Sequence, residues 1–283
     1  MNIERYFRWL LVSIILIAGT MIGIDSALAS TEQKQQVDQK YQPDAATLIN
    51  YGDLKKMETR WEAAIRTGGW VRHSYHQRIV EDDQVYRAPD AQFPSEATVE
   101  IWFHFNKGLV DQQITLITHN GQRIMTEILY RGIYRSMAEA FTPIEQEPYS
   151  PSLYFYITSE SPEATAREGM QVLTINQDTT LMEGNDIARF SVRHVFPAGM
   201  PGYSEKDANI IGTMQTIYID PITAQPLQID NYFLLKDNGS RLFQEITQIE
   251  AERVVSLPED VQWYFDNYDL TNWSSYSQLW SSQ

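Results

Sequence analysis

The stretch IDPITAQPLQI, residues 219–229, stands between two apolar runs and decides how the late part of the chain is read. Pro221 fixes one backbone torsion of a bend, and Asp220 and Thr223 can bond its free amides. Pro226 stiffens the far side of the same bend. The segment is therefore a strand-to-strand turn, flanked by strands over 215–219 and from 228 onwards.

Working outward, the same device recurs. LQIDNYFLLKDNGSRLFQEITQIE places Asn238-Gly239 between two β-rich runs, and LVDQQITLITHNGQRIMTEILY does so at Asn120-Gly121. Asn-Gly supplies the positive φ values that a tight hairpin needs. In ATVEIWFHFN, Val99, Ile101, Phe103 and Phe105 alternate with Glu100, Trp102, His104 and Asn106, so the former predict a buried strand face. Ile229 and Phe233 share a face in the same way, opposite Gln228, Asp230 and Tyr232. Further strands are expected over 152–159, 171–175 and 186–196. Ahead of them, Leu54, Met57, Trp61 and Ile65 recur at helical spacing, with Asp53 as a cap and Gly68-Gly69 as the stop. Hairpin-joined strands behind one helix predict an α+β or mostly β domain over 44–269, and α+β is the class taken.

The first twenty-nine residues read as an export segment. Arg5 and Arg8 precede an apolar stretch over 9–24, and Ala27-Leu28-Ala29 is a small-x-small cleavage pattern, cutting between Ala29 and Ser30. Retained, the segment would be an N-terminal membrane anchor. Residues 30–43 are Gln-rich and aperiodic, a polar tether. Residues 270–283 form an aromatic tail, with Leu270, Trp273 and Trp280 among serines.

Composition excludes several functions. Lys and Arg total 22 against 37 Asp and Glu, a net charge of -15, the wrong sign for nucleic acid or for docking on anionic lipid. The chain has no cysteine, hence no disulfide, thiolate nucleophile or Cys-based metal site. His73 and His76 point to opposite faces of a strand and cannot share a metal ion. Glu81, Asp82 and Asp83 lack the alternating ligands of a calcium loop. Ser204 follows Gly202, but Lys206 stands where a nucleophile elbow has its second glycine. No catalytic residue, metal or cofactor is expected. The loop over 196–209 carries Phe196, Met200 and Tyr203, which either pack on the rim or form a flap over a cavity.

Asp220, Thr223 and Pro226, followed by the Asn238-Gly239 hairpin and by Leu257-Pro258 with Phe265, resemble the late portion of the LolA/RseB-like superfamily of exported bacterial proteins. Its members include lipoprotein carriers and envelope-stress regulators. Ala224 stands where that turn commonly has glycine. The resemblance covers about residues 215–265, is looser over 54–130 and is absent between. It implies a half-barrel: a curved, incomplete antiparallel sheet with a concave apolar face and a covering N-terminal helix. It further implies an exported, non-enzymatic protein of the periplasm or cell surface, holding a lipid, lipoprotein or other hydrophobic ligand. Met57, Trp61, Val99, Ile101, Phe103, Phe105, Ile229 and Phe233 are the concave-face candidates. The alternative is a membrane-anchored scaffold that binds another envelope protein; a hydrolase working through paired carboxylates is a third class.

Overall fold

Ile219 ends one strand and Pro226 begins the next, with the quoted turn between them. Asp220 makes that turn: its Oδ1 accepts from the Ile222 amide at 2.7 Å and its Oδ2 from the Thr223 hydroxyl at 2.9 Å. The Ala224 amide donates to the Asp220 carbonyl at 2.8 Å, and Ala224 takes the left-handed φ of 63°. The chain does at this bend what glycine would do elsewhere, at a steric cost.

The computed structural model describes residues 43–66, 68–80, 95–136, 144–145, 161–162, 171–195 and 209–267. The export segment, the tether apart from Pro43, the acidic stretch at Glu81, the strand expected over 152–159, the loop over 196–208 and the aromatic tail lie outside them.

Helix α1 covers Ala45–Ile65 and α2 covers Glu259–Asp266. The strands are β1 Gly69–Ile79, β2 Glu96–Asn106, β3 Leu109–His119, β4 Gln122–Tyr130, β5 Ile133–Ser136 and β6 Ile144–Glu145. They continue with β7 Gln171–Met182, β8 Asn185–Val195, β9 Ile210–Ile219, β10 Pro226–Leu235 and β11 Ser240–Val254. The described strands are antiparallel to their neighbours and close no barrel, so the class is α+β with an open sheet, as expected.

The residues fall into two compact units. Among the described residues one takes those within 43–61 and 161–243, the other those within 62–145 and 244–267.

In the first unit the strand order is β10-β9-β8-β7, and one sheet face gathers Ile175, Phe190, Val192, Ile217, Ile229 and Phe233. Helix α1 engages both ends of this row. Its Thr47 hydroxyl accepts from the Ile175 amide at 3.2 Å, its Asn50 side chain donates to the Ile175 carbonyl at 2.5 Å, and Arg60 donates to the Pro221 carbonyl at 2.8 Å. The helix begins earlier than its apolar spacing predicts. Asp44, not Asp53, caps it, accepting from the Thr47 amide at 2.7 Å.

In the second unit the order is β6-β5-β4-β3-β2-β1-β11, with α2 packed on one face. Bulges in β1 against β11, in β2 against β3 and in β3 against β4 bend this row and curve it. Helix α2 is an element that the strand pattern did not predict. Pro258 precedes its first turn, and its carbonyl accepts from the Gln262 amide at 2.8 Å.

Hairpins follow a rule broader than Asn-Gly. Lys107-Gly108, Asn120-Gly121, Arg131-Gly132 and Glu183-Gly184 all hold two consecutive positive φ values, so four two-residue loops use any residue followed by glycine. The Asn238-Gly239 loop differs from the expectation. Only Asn238 is left-handed, at φ 62°, and the loop is longer, closed by the Leu235 amide on the Gly239 carbonyl at 3.0 Å.

Candidate functional site

Strand pairing decides which side chains stand together, because directly opposed residues of antiparallel strands share a face. In the second unit one row runs Val71, Phe103, Gln113, Leu129 and the next runs His73, Ile101, Thr115, Glu127. A third begins Tyr75, Val99, Ile117, Ile124. The four β2 candidates therefore lie in the middle of one face, and all are buried, Phe105 at 1% and Ile101 at 8% exposure.

That face is not uniformly apolar. A polar strip crosses it: His73, Gln77, Gln113, Thr115 and Glu127 are all buried. The Gln113 side-chain amide donates to Thr115 Oγ1 at 3.3 Å and to Glu127 Oε2 at 3.4 Å, and the Thr115 hydroxyl donates to the same carboxylate oxygen at 3.3 Å. Burial pushes the His73 imidazole down to about 4, so it is neutral at physiological pH. Burial, with the Glu127 carboxylate as a second cause, raises the Tyr75 phenol well above its ordinary value. Gln77 Oε1 is buried with no hydrogen-bond partner among the described residues. These groups were missed in the sequence, although Glu127 sits in the inward register of the apolar run IMTEILY.

The opposite face of β2 is covered over its middle, while Thr98 and Asn106 near its ends are exposed. Trp102 is buried with Ile114, Leu116, Met125 and Ile128 beneath Val261 and Phe265 of α2. Glu100 is 6% exposed and is held by two arginines: Arg72 Nε donates to it at 2.9 Å, and Arg123 bridges it to Asp260 of α2. His76 lies on this outer side, 3.0 Å from Glu96, so His73 and His76 do point apart as their spacing predicts.

The remaining candidates belong to the first unit. Trp61, Ile229 and Phe233 are buried there, Ile229 fully, and Phe233 stacks on Phe243 at 4.1 Å between ring centroids. Met57 is half-buried only. The buried position of that helical turn is Glu58, which forms an ion pair with Lys55 and so can be tolerated inside. Phe196, Met200, Tyr203, Ala29 and Ser30 lie outside the described residues. Among the described residues no group of three or more His, Asp or Glu side chains is placed to hold a metal ion.

No protein-family model and no curated protein matches the chain. Among solved structures it is similar to the complex of MucA and MucB from Pseudomonas aeruginosa, with 14% identity and a TM-score of 0.36, covering 74% of this chain and 60% of that one. It is also similar to a LolA superfamily protein from Nitrosomonas europaea, with 8% identity and a TM-score of 0.26, covering 74% of this chain and 96% of that one.

Proposed function

We propose that the protein is an exported, non-enzymatic binding protein of the cell envelope that holds a lipid, lipoprotein acyl chain or other hydrophobic ligand. One observation carries this reading: Val99, Ile101, Phe103 and Phe105 gather on a single face with a few convergent polar groups, among them Gln113, Thr115 and Glu127. Mostly apolar walls with sparse polar groups and shifted titratable neighbours are the usual composition of a small-molecule site. Export rests on Arg5, Arg8 and the Ala27-Leu28-Ala29 pattern. Titration of the purified mature chain with a fluorescent fatty-acid probe tests it. Saturable binding that weakens in Phe103→Ala is expected; no saturable binding by an intact fold rejects it.

A second reading is a membrane-anchored scaffold for another envelope protein. It is favoured by the burial of the β2 face, whose four candidates expose 8% or less of their surface and leave little apolar area for a ligand. Membrane fractionation separates the two: a cleaved carrier is soluble and begins at Ser30, whereas an anchored scaffold sediments with membranes.

A further inference from the structure

Two arginines on β8, Arg189 and Arg193, stand four residues apart and so point to the same side of the sheet, away from Phe190 and Val192. Their surroundings differ. Arg189 is engaged in a fork with Asp178, Nε to Oδ1 at 2.7 Å and Nη2 to Oδ2. That pairing raises the guanidinium and holds the Asp178 carboxyl below its usual range. Arg193 has no such partner. Its Nε is buried without a hydrogen bond, and among the described residues it makes no ion pair.

The residues around Arg193 follow from register. Thr174 and Met214 stand directly opposite it on β7 and β9, and Tyr232 lies beyond Met214 on β10. In the adjoining row the hydroxyls of Ser191 and Thr216 lie 3.3 Å apart. Neither position directly opposite Arg193 carries a carboxylate; the nearest acid on this face in register is Asp230, opposite Thr216 in the adjoining row, and it accepts from Gln228 at 2.7 Å and from the Tyr232 hydroxyl at 3.2 Å. A buried guanidinium N–H without a partner is an uncommon and costly feature, and it marks a place where an acceptor from outside the chain belongs. The net charge of -15 repels anions at long range, so an anion held here would be held by local geometry rather than by a general field.

We propose that the β8–β9 face around Arg193 is a binding site for an oxyanion, a carboxylate or phosphate group of a polar ligand. Arg193 supplies a charge-assisted donor fork, and Ser191 and Thr216 supply hydroxyls that can donate to the remaining oxygens or to neighbouring ligand hydroxyls. The site is distinct from the β2 face in the other unit and does not depend on the hydrophobic-ligand reading.

The test is a titration of the full chain with inorganic phosphate and, separately, with acetate, followed by backbone amide shifts in β8 and β9. Saturable shifts centred on Ser191 to Val195 are expected, and the better of the two ions names the ligand group. Arg193→Gln should weaken binding about tenfold or more. Met214→Glu, which puts a carboxylate directly across from Arg193, should abolish it with the fold retained. Absence of saturable shifts would mean that water alone satisfies Arg193, and unchanged titration of either folded variant would place the anion elsewhere; each result overturns the proposal.

Discussion

Glu100 and Asp230 read alike in the sequence, each an acidic residue on the outward register of an apolar strand, and both are buried, at 6% and 5% exposure. They reach that state by different routes. In the second unit a helix is laid over the outer face, and Glu100 is neutralised by Arg72 and Arg123 beneath it. In the first unit Asp230 accepts from neutral donors within its own strand, Gln228 at 2.7 Å and Tyr232 at 3.2 Å. A charge under a covering element needs counter-charges, because desolvation is severe there. One shielded by its own strand neighbours is held by hydrogen bonds from neutral donors. The second unit thus buries both sides of β2, whereas the first keeps Arg189, Ser191 and Arg193 half-exposed.

The contrast breaks most visibly at Trp102. Trp102→Ala empties a site that α2 closes, and should lower the unfolding free energy by about 3–5 kcal/mol. Amide exchange in Glu259–Asp266 should accelerate with it. The matching truncation on the outer face of the first unit, Tyr232→Ala, should cost less, about 1–3 kcal/mol, since Tyr232 is half-buried and its hydroxyl donates to the buried Asp230. Equal losses in denaturant titrations would mean that the two outer faces are covered alike.

Gly212 sharpens the same comparison from the first unit. A Cβ there would lie 2.1 Å from the His194 carbonyl oxygen and 2.9 Å from Val195 Cα, backbone atoms that cannot rotate away. Gly212→Ala should therefore cost about 1–3 kcal/mol by forcing β8 and β9 apart. Chemical-shift changes confined to those two strands would place the strain; a variant as stable as the parent would mean that the strand pair has slack.

Much of this was open to a reader of residues, but unevenly. Asn120-Gly121 announces its hairpin because both positions have a chemical reason for positive φ. Lys107-Gly108 and Glu183-Gly184 perform the same turn, yet lysine and glutamate carry no such local preference; the flanking strands impose it. The helix was legible as a stripe, and the stripe misplaced one residue. Glu58 outcompetes Met57 for the buried position because an ion pair with Lys55, which periodicity cannot see, offsets its charge. The polar strip was least legible. Thr115 and Glu127 meet only through β3–β4 pairing, and His73 joins their row only through β1 and β2. Each residue alone looks like a surface residue, and register makes them neighbours.

Histidines give a smaller, pH-resolved effect. His73 in the second unit and His194 in the first both titrate near 4 instead of 6.5, in each case because burial disfavours the charged ring. A lowered folded-state value means that the unfolded chain binds the proton first. Stability from these rings is therefore complete above about pH 6.5 and is lost as pH falls towards 4. Denaturation midpoints over that window should fall, and His73→Gln should flatten the slope more than His194→Gln, since His73 is buried and His194 only half-buried. A greater flattening from His194→Gln would reverse the ranking of the two environments. Below this window Asp178 and Asp220, both held below the usual carboxylate range by hydrogen bonds, add their own losses.

The smallest expected effect belongs to the turn itself. Ala224 is fully buried and left-handed, with φ at 63°. Replacing it with glycine relieves a backbone cost of about 1–2 kcal/mol for an L-residue in that region. The same change removes a buried methyl worth about 0.8 kcal/mol and frees the unfolded chain by about 0.4–1 kcal/mol. These terms nearly cancel, so Ala224→Gly should move the unfolding free energy by less than about 1 kcal/mol in either direction. A loss well beyond that would show that the Ala224 methyl is a packing element of the first unit. A gain well beyond it would show that the Asp220 hydrogen bonds, not alanine, hold the left-handed geometry. In that case alanine is tolerated at this left-handed position because the network around Asp220 carries the strain.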